Sequence, residues 1–492
     1  MAGRFLSLFK PVARIIPEVK APERRVRFNE KLFWTALALI IFLVMSEIPL
    51  FGVAKTALGE LSALRVIFAS NRGTLMELGI GPIVTAGLIL QLLVGSQMVE
   101  CDMGDPADRG LFTTASKVFS ILLTGVQASA YIIGGMYGTL TGTTVIVVFL
   151  QLISAGIIVM LLDELVQKGW GFGSGISLFI MAGVAQHIFW QSFSPAPAVG
   201  ETRSYGFFVA LAQVLSAGQP VSFMWLRSNA GEGALAFSSQ NPSMLGFVAT
   251  IIAFLVIIYM EGVRVELPMS YAGYRGYRSR YPIKLLYVSN LPVIFASALF
   301  ANVYFFSQLF WGMNGQPAPG QNFWLDLLGQ YTKTTTGTGT NAQTSINPVG
   351  GLVYFVTAPR SFIDVMNSPL KAMVYLGILM VFCVVFSLTW LEVGGLGPST
   401  VAGQLVDSGM QIPGYRRSEK AVESILKRYI PVVTILGGIV VALVAGISDF
   451  FGVFGSGMGI LLSVGIIYQY YEILIKERAA ETIPAFRRIF GE

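Results

Sequence analysis

GIGPIVTAGLILQLLVG, residues Gly79 to Gly95, is the stretch on which the fold turns. Two glycines and a proline open it, a combination that favours a fresh helix start, and an uncharged apolar run follows. Just upstream, Ala57 to Ser70 reads as a moderately apolar helix that carries Glu60 and Arg65. It is too short and too charged to cross a bilayer. Asn71-Arg72-Gly73 supplies a turn between the two. The segment therefore reads as a half-helix dipping back from outside, followed by a full helix. Irregular backbone at membrane depth survives only where protein buries it or it lines a water cavity, so the interruption points to a pathway through the protein. A short surface helix in an external loop is the competing reading of 57–70.

The rest of the chain supports a membrane setting. Of its 492 residues 54% are apolar and 12% charged, with a mean hydropathy of +0.67, outside the balance that soluble domains keep. Aromatic content of 12% excludes disorder, and two cysteines, Cys101 and Cys383, exclude a disulfide scaffold. His187 is the sole histidine, so no histidine-built metal or acid–base site and no cofactor is expected. Near-uncharged runs of about 20 residues fit a hydrocarbon core of about 30 Å. Ten such runs occur: Lys31–Leu50, Gly79–Val99, Leu111–Tyr137, Thr143–Leu162, Ser174–Ser194, Met244–Val263, Val288–Met313, Pro369–Leu391, Tyr429–Ile447 and Phe454–Ile475. The expected class is an all-α polytopic membrane protein. No short apolar core with a small-residue cleavage site opens the chain, so residues 1–30 read as a basic amphipathic arm and not as a signal peptide.

Cationic loops stay on the cytoplasmic side, which orients the spans. A cytoplasmic N-terminus places there Arg4, Lys10, Arg14, Lys20, Arg24, Arg25, Arg27 and Lys31 of the arm. It also places there Arg264, Arg275, Arg278, Arg280 and Lys284 after the sixth span, and Arg416, Arg417, Lys420, Lys427 and Arg428 after the eighth. Lys476, Arg478, Arg487 and Arg488 of the tail 476–492 join them, so both termini are expected in the cytosol. The domain organisation expected is a five-helix half 31–194 that includes 57–70, an external loop 195–243, and a second half 244–475 with cytoplasmic loops 264–287 and 392–428. The external stretches 191–242 and 315–368 are rich in Gly, Ser, Thr and Pro and read as mobile surface segments. Glycine clusters at 169–175 and 452–459 precede the fifth span and open the tenth; tight helix packing is the favoured reading of both over a ligand loop.

Five stretches resemble the SecY family in its archaeal and eukaryotic type, the channel subunits of the Sec protein translocon. They are Gly79–Gly95, LDELV (Leu162–Val166), GSGISLFI (Gly173–Ile180), YPIKLLYVSNLPVI (Tyr281–Ile294) and RSEKA (Arg417–Ala421). The likeness runs in order over nearly the whole chain and weakens in the arm and the two long external loops. It implies ten helices in two inverted halves of five around a central pore. Carried over residue by residue, it implies a pore ring of Ile80, Val84, Ile176, Ile180, Ile294 and Leu462. The pairs Ile80/Val84 and Ile176/Ile180 each share a helical face at i, i+4. Taken singly, each of the six reads as ordinary core packing. The resemblance also implies a plug over 57–70, with Leu61, Leu64, Val66, Ile67 and Phe68 as its apolar residues. Thr85, Gln127 and Asn302 fall on the polar positions of a lateral gate, the alternative for them being unconnected groups that satisfy backbone carbonyls.

The two cytoplasmic loops resemble the family's ribosome-docking loops. Arg264, Arg275, Arg278, Arg280, Lys284, Arg416, Arg417 and Lys420 would supply phosphate contacts there, with Tyr271, Tyr274, Tyr277 and Tyr281 interleaved in the first. Membrane orientation alone accounts for the same charges. The implied partners are a SecE-type clamp subunit, a small beta-type or SecG-type subunit, the ribosome, signal sequences and nascent polypeptides, and membrane lipids. The implied location is the cell (plasma) membrane. The function expected is conduction of unfolded secretory proteins across the membrane, with lateral release of transmembrane segments into lipid and no catalysis. A secondary transporter of small solutes is the alternative, since it too combines about ten spans with broken helices. It should place ionisable groups at mid-membrane depth, and the spans are nearly free of them there. An intramembrane enzyme lacks a Ser/His pair or a paired-carboxylate site in the spans.

Overall fold

The computed structural model describes residues 9, 11, 16–24, 26–53, 73–95, 98–99, 101, 106–134, 137, 142–198, 203–218, 220–225, 227, 241–271, 278–286, 288, 291–315, 317, 320–336, 343–359, 361–411 and 418–482. Ten apolar helices carry the architecture: α1 (Phe28–Glu47), α2 (Gly81–Gly95), α3 (Pro106–Ile133), α4 (Gly142–Leu165), α5 (Gly175–Phe193), α6 (Met244–Gly262), α7 (Leu291–Met313), α8 (Pro369–Val393), α9 (Glu419–Phe450) and α10 (Gly457–Thr482). Among the described residues nine are long and apolar enough to cross a membrane. The tenth, α2, has 15 residues and so rises roughly 22 Å at about 1.5 Å per residue. Each of the ten helices overlaps one of the ten runs expected from the sequence.

A buried, non-helical approach precedes α2. Met76 to Ile80 are all buried. Their neighbourhood is tied to the end of α1 by backbone bonds, with Leu75 N–H donating to Ile48 O at 2.9 Å and Leu50 N–H to Gly73 O at 2.8 Å. Gly79 takes φ +55, a left-handed conformation that favours glycine, and its N–H donates to Met76 O. The interruption read from the sequence is thus real, and its backbone groups are satisfied inside the protein. The half-helix expected over 57–70 lies outside the described residues.

Large aliphatic and aromatic side chains stand exposed along the flanks of the helices, including Phe33 and Ile40 on α1, Leu255 and Tyr259 on α6 and Val381 on α8. In water such a surface would be untenable; in a bilayer it is the solvated face. The opposite faces converge on one extended core to which α1, α2, α4, α5 and α6 to α10 all contribute. A second core lies at the end of α9 that runs beyond the expected span start at Tyr429. Val422, Leu426 and Ile430, one turn apart, pack there on Leu267, Met269 and Ile283 of a small sheet and on Leu405 of a short helix, Pro398–Asp407.

Two sheets qualify the all-α expectation, and both lie in the connections between spans. β1 (Arg264–Tyr271) and β2 (Arg278–Lys284) form a hairpin, and β5 (Met410–Gln411) adds to the free edge of β1 through Ser270↔Gln411 and Tyr271↔Met410. The two basic loops are therefore stitched into one sheet of order β2-β1-β5. β3 (Gln330–Thr336) pairs with β4 (Gln343–Gly350) within the long stretch 315–368. The long stretch 191–242 holds a helix, Phe207–Ser216, and a fully buried Arg227. The Arg227 guanidinium donates to the carbonyls of Ser204 at 2.8 Å, Tyr205 at 3.0 Å and Pro242 at 3.3 Å. The expectation of mobile surface segments is corrected for these parts, because alternating threonines suit a ladder and a buried cation held by carbonyls fixes its loop.

Candidate functional site

The two helices that start beside glycine clusters do so by the same device. At the head of α5, Asp163 on α4 accepts the N–H of Ile176 through Oδ1 at 2.9 Å, and a Cβ built on Gly175 would stand 2.6 Å from Asp163 Cα. At the head of α10, Asp449 on α9 accepts the N–H of Gly457 through Oδ1 at 2.6 Å, and a Cβ on Gly457 would stand 2.1 Å from Ala445 O. Each helix begins at a glycine pressed against the preceding helix, with that helix's carboxylate closing the orphan donors of its first turn. Close packing is the reading of these glycines that the geometry bears out. The reversal into α10 also uses Ser456 at φ +69, the one non-glycine residue with positive φ among the described residues, whose Oγ accepts from Gly459 N–H at 3.1 Å.

These starts, and the Gly79-to-Pro82 turn at the head of α2, fix the first side chains of three helices. Ile80 is fully buried and Val84, one turn on, nearly so. Ile180 and Leu462 are buried, while Ile176 and Ile294 are half-buried against them. All six aliphatics expected at the ring belong to, or pack against, the same central apolar cluster. Among the described residues, the buried acidic and basic groups are Glu77 in the approach to α2, Asp108 at the head of α3, Asp163 and Glu164 at the end of α4, Glu261 at the end of α6, Asp449 at the end of α9, and Arg227 in a loop.

Of the three polar positions expected at the gate, the structure joins two. Asn302 Nδ2 on α7 donates to Thr85 Oγ1 on α2 at 3.4 Å, a long bond, and Gln127 on α3 is half-buried outside it. The seam between α3 and α7 is instead closed by packing that the sequence reading missed. Tyr131 stacks on Phe305 at 5.1 Å between centroids, and a Cβ on Gly312 would stand 2.7 Å from Gly134 O. Apolar and small-residue contacts carry this seam.

The SecY family model matches residues 74–471, and the model for the plug domain of Sec61p matches residues 40–73. The chain belongs to the SecY family. A solved SecY-type structure described as a protein conducting channel is 34% identical, with a TM-score of 0.77 over 97% of this chain and 98% of that one. A SecY protein whose plug domain is described as stabilising the closed state and maintaining a membrane seal is also 34% identical, at a TM-score of 0.75 over the same shares. So is Sec61 in the canine ribosome-channel complex from the endoplasmic reticulum, again at 0.75 and 34% over the same shares. The molecule is accordingly a multi-pass protein-conducting channel of the Sec translocon, a pore and not an enzyme. The plug match includes 57–70; Leu61, Leu64, Val66, Ile67 and Phe68 lie outside the described residues.

The basic positions of this SecY-family chain are dispersed over its small sheet. Arg264 lies at the start of β1 and Lys284 at the end of β2, while Arg278 pairs with Ser270 in the ladder. Arg280 is largely exposed yet donates to Glu266 at 2.7 Å, and Arg264 Nε lies 3.3 Å from the same carboxylate. Lys284 reaches Glu472 at 3.3 Å and stands over the Tyr468 ring at 5.0 Å. Lys420 is exposed in the first turn of α9, and Arg275, Arg416 and Arg417 lie outside the described residues. Counting cations overlooked Glu266. The Arg280 hydrogen bond holds its carboxyl below the usual carboxylate range.

Proposed function

We propose that this channel conducts unfolded secretory polypeptides through a collar of Ile80, Val84, Ile176, Ile180, Ile294 and Leu462, and releases transmembrane segments sideways between α2/α3 and α7/α8. One observation supports the reading: aliphatic side chains from four separate helical segments belong to one apolar cluster. Such a collar offers water and ions no partner and excludes them by dewetting, while its non-directional contacts yield around a passing chain. The plug over 57–70 seals the closed state. At the gate, Thr85 and Asn302 add a bond worth about 1 kcal/mol, small enough for an apolar signal sequence to displace; Gln127 lines the same exit.

The cytoplasmic sheet is the docking face for a translating ribosome, which supplies the energy. Arg264, Arg278, Arg280, Lys284 and Lys420, together with Arg275, Arg416 and Arg417, meet ribosomal RNA phosphates there. Sec61 in a ribosome-channel complex supports this assignment. A SecE-type clamp and a small beta-type or SecG-type subunit brace the helices in the plasma membrane, with both termini cytosolic. The transporter alternative expects acidic or basic groups at mid-membrane depth, whereas the buried ones among the described residues lie near helix ends or in loops. The test is ion leak: the double variant Ile80→Gly with Ile176→Gly, reconstituted in vesicles, is expected to raise resting conductance severalfold over the wild type. Unchanged leak would overturn the collar.

A further inference from the structure

The connection from α7 to α8 contains a short helix, Phe323–Leu328, whose outward face is strongly apolar. Phe323 is 75% exposed, Trp324 77% and Leu327 56%, and the first two rings meet edge to face at 5.8 Å. Leu325 and Leu328 turn the other way and are half-buried. The helix is firmly placed. Asp326 accepts the N–H of Gly320 at 2.9 Å, and Trp311 Nε1 donates to Pro317 O at 3.1 Å. A Cβ on Gly351 would stand 2.6 Å from Asp326 O.

Its depth can be read from α7. A Cβ on Gly329, the residue after the helix, would stand 2.5 Å from Ser307 Oγ, and Tyr331 packs on Tyr304 and Trp311 at 6.0 and 5.2 Å between centroids. Ser307 lies six residues before the end of α7 at Met313, which is about 9 Å along a helix. The 23 residues of α7 rise roughly 34 Å, so its ends overhang a hydrocarbon core of about 30 Å by only a few ångströms. Gly329 therefore sits beneath the headgroup level, beside a flank of α7 whose Phe306 and Phe310 are themselves exposed. Phe323 and Trp324 stand exposed on the short helix that leads directly into Gly329.

We propose that Phe323, Trp324 and Leu327 form an interfacial anchor seated at the headgroup–acyl boundary of the outer leaflet, holding the β3–β4 hairpin against the outer end of α7. Aromatic rings with an apolar body and, for tryptophan, a polar N–H suit that boundary, and a helix lying in its plane buries one face only. The occupant is lipid. The test reconstitutes the wild-type channel and Trp324→Phe, which leaves the other six tryptophans in place. Their difference emission isolates Trp324. It is expected to be blue-shifted and to lose most of its intensity when the vesicles are made from lipid brominated near the headgroup end of the acyl chains. A difference spectrum quenched by aqueous iodide and indifferent to brominated lipid would overturn the anchor. So would a blue-shifted spectrum indifferent to both, which would mean a protein partner. As an independent readout, a nitroxide on Leu327→Cys in a Cys101→Ser background should collide more readily with oxygen than with a water-soluble nickel chelate. The reverse order would equally overturn it.

Discussion

Asp449 and Asp163 show what single carboxylates do here. Each closes the first turn of the helix that follows, and a cap of this kind contributes about 1 kcal/mol. Asp449→Ala is expected to lower the thermal unfolding midpoint in detergent, and Asp449→Asn, which keeps an acceptor oxygen, to restore part of the loss. Gly457→Ala is expected to cost about 1–3 kcal/mol, since its Cβ has Ala445 O in its way and backbone must shift to admit it. The tight packing behind that cost was readable from the glycine clusters. The caps were not. Asp163 finds its partner 13 residues on and Asp449 eight on, and nothing in local spacing says that the intervening turn brings them back.

Among the elements, the α3–α7 seam and the β1–β2 hairpin make separate predictions. Gly312→Leu places bulk where Gly134 O stands and should wedge the seam, giving faster cross-linking of a signal sequence to α7 than in the wild type; no change would indicate that the seam does not gate. On the hairpin, Glu266 is held below its ordinary value by Arg280, so its pairing supports the folded hairpin above the usual carboxylate range and is lost as pH falls through the lowered value. Amide exchange in β1 and β2, relative to intrinsic rates, is expected to hold steady around neutral pH and to quicken once acid takes Glu266 through its lowered value, with Glu266→Gln removing the step. The spans themselves were legible because hydropathy over 20 residues is a strong signal. β5 is two residues long and exists only because tertiary folding brings Met410 to Tyr271, so no local pattern could announce it.

For the whole molecule, charge reversal at Lys420 and Arg264 is expected to weaken ribosome binding and to flatten its salt dependence, as loss of phosphate contacts should. Binding that weakens with an unaltered salt slope would point to shape and not to charge. The proposed ring residues come from the resemblance alone; burial and apolar character do not separate them from dozens of other core positions. What the fold adds is the linkage of loops to helices. β1 continues from α6, β2 leads into α7, and β5 lies just upstream of α9, so three separate crossings report to a single ribbon on one side of the membrane. Any partner that grips one strand thereby takes hold of all three, and a pull on the ribbon is passed along to α6, α7 and α9 together.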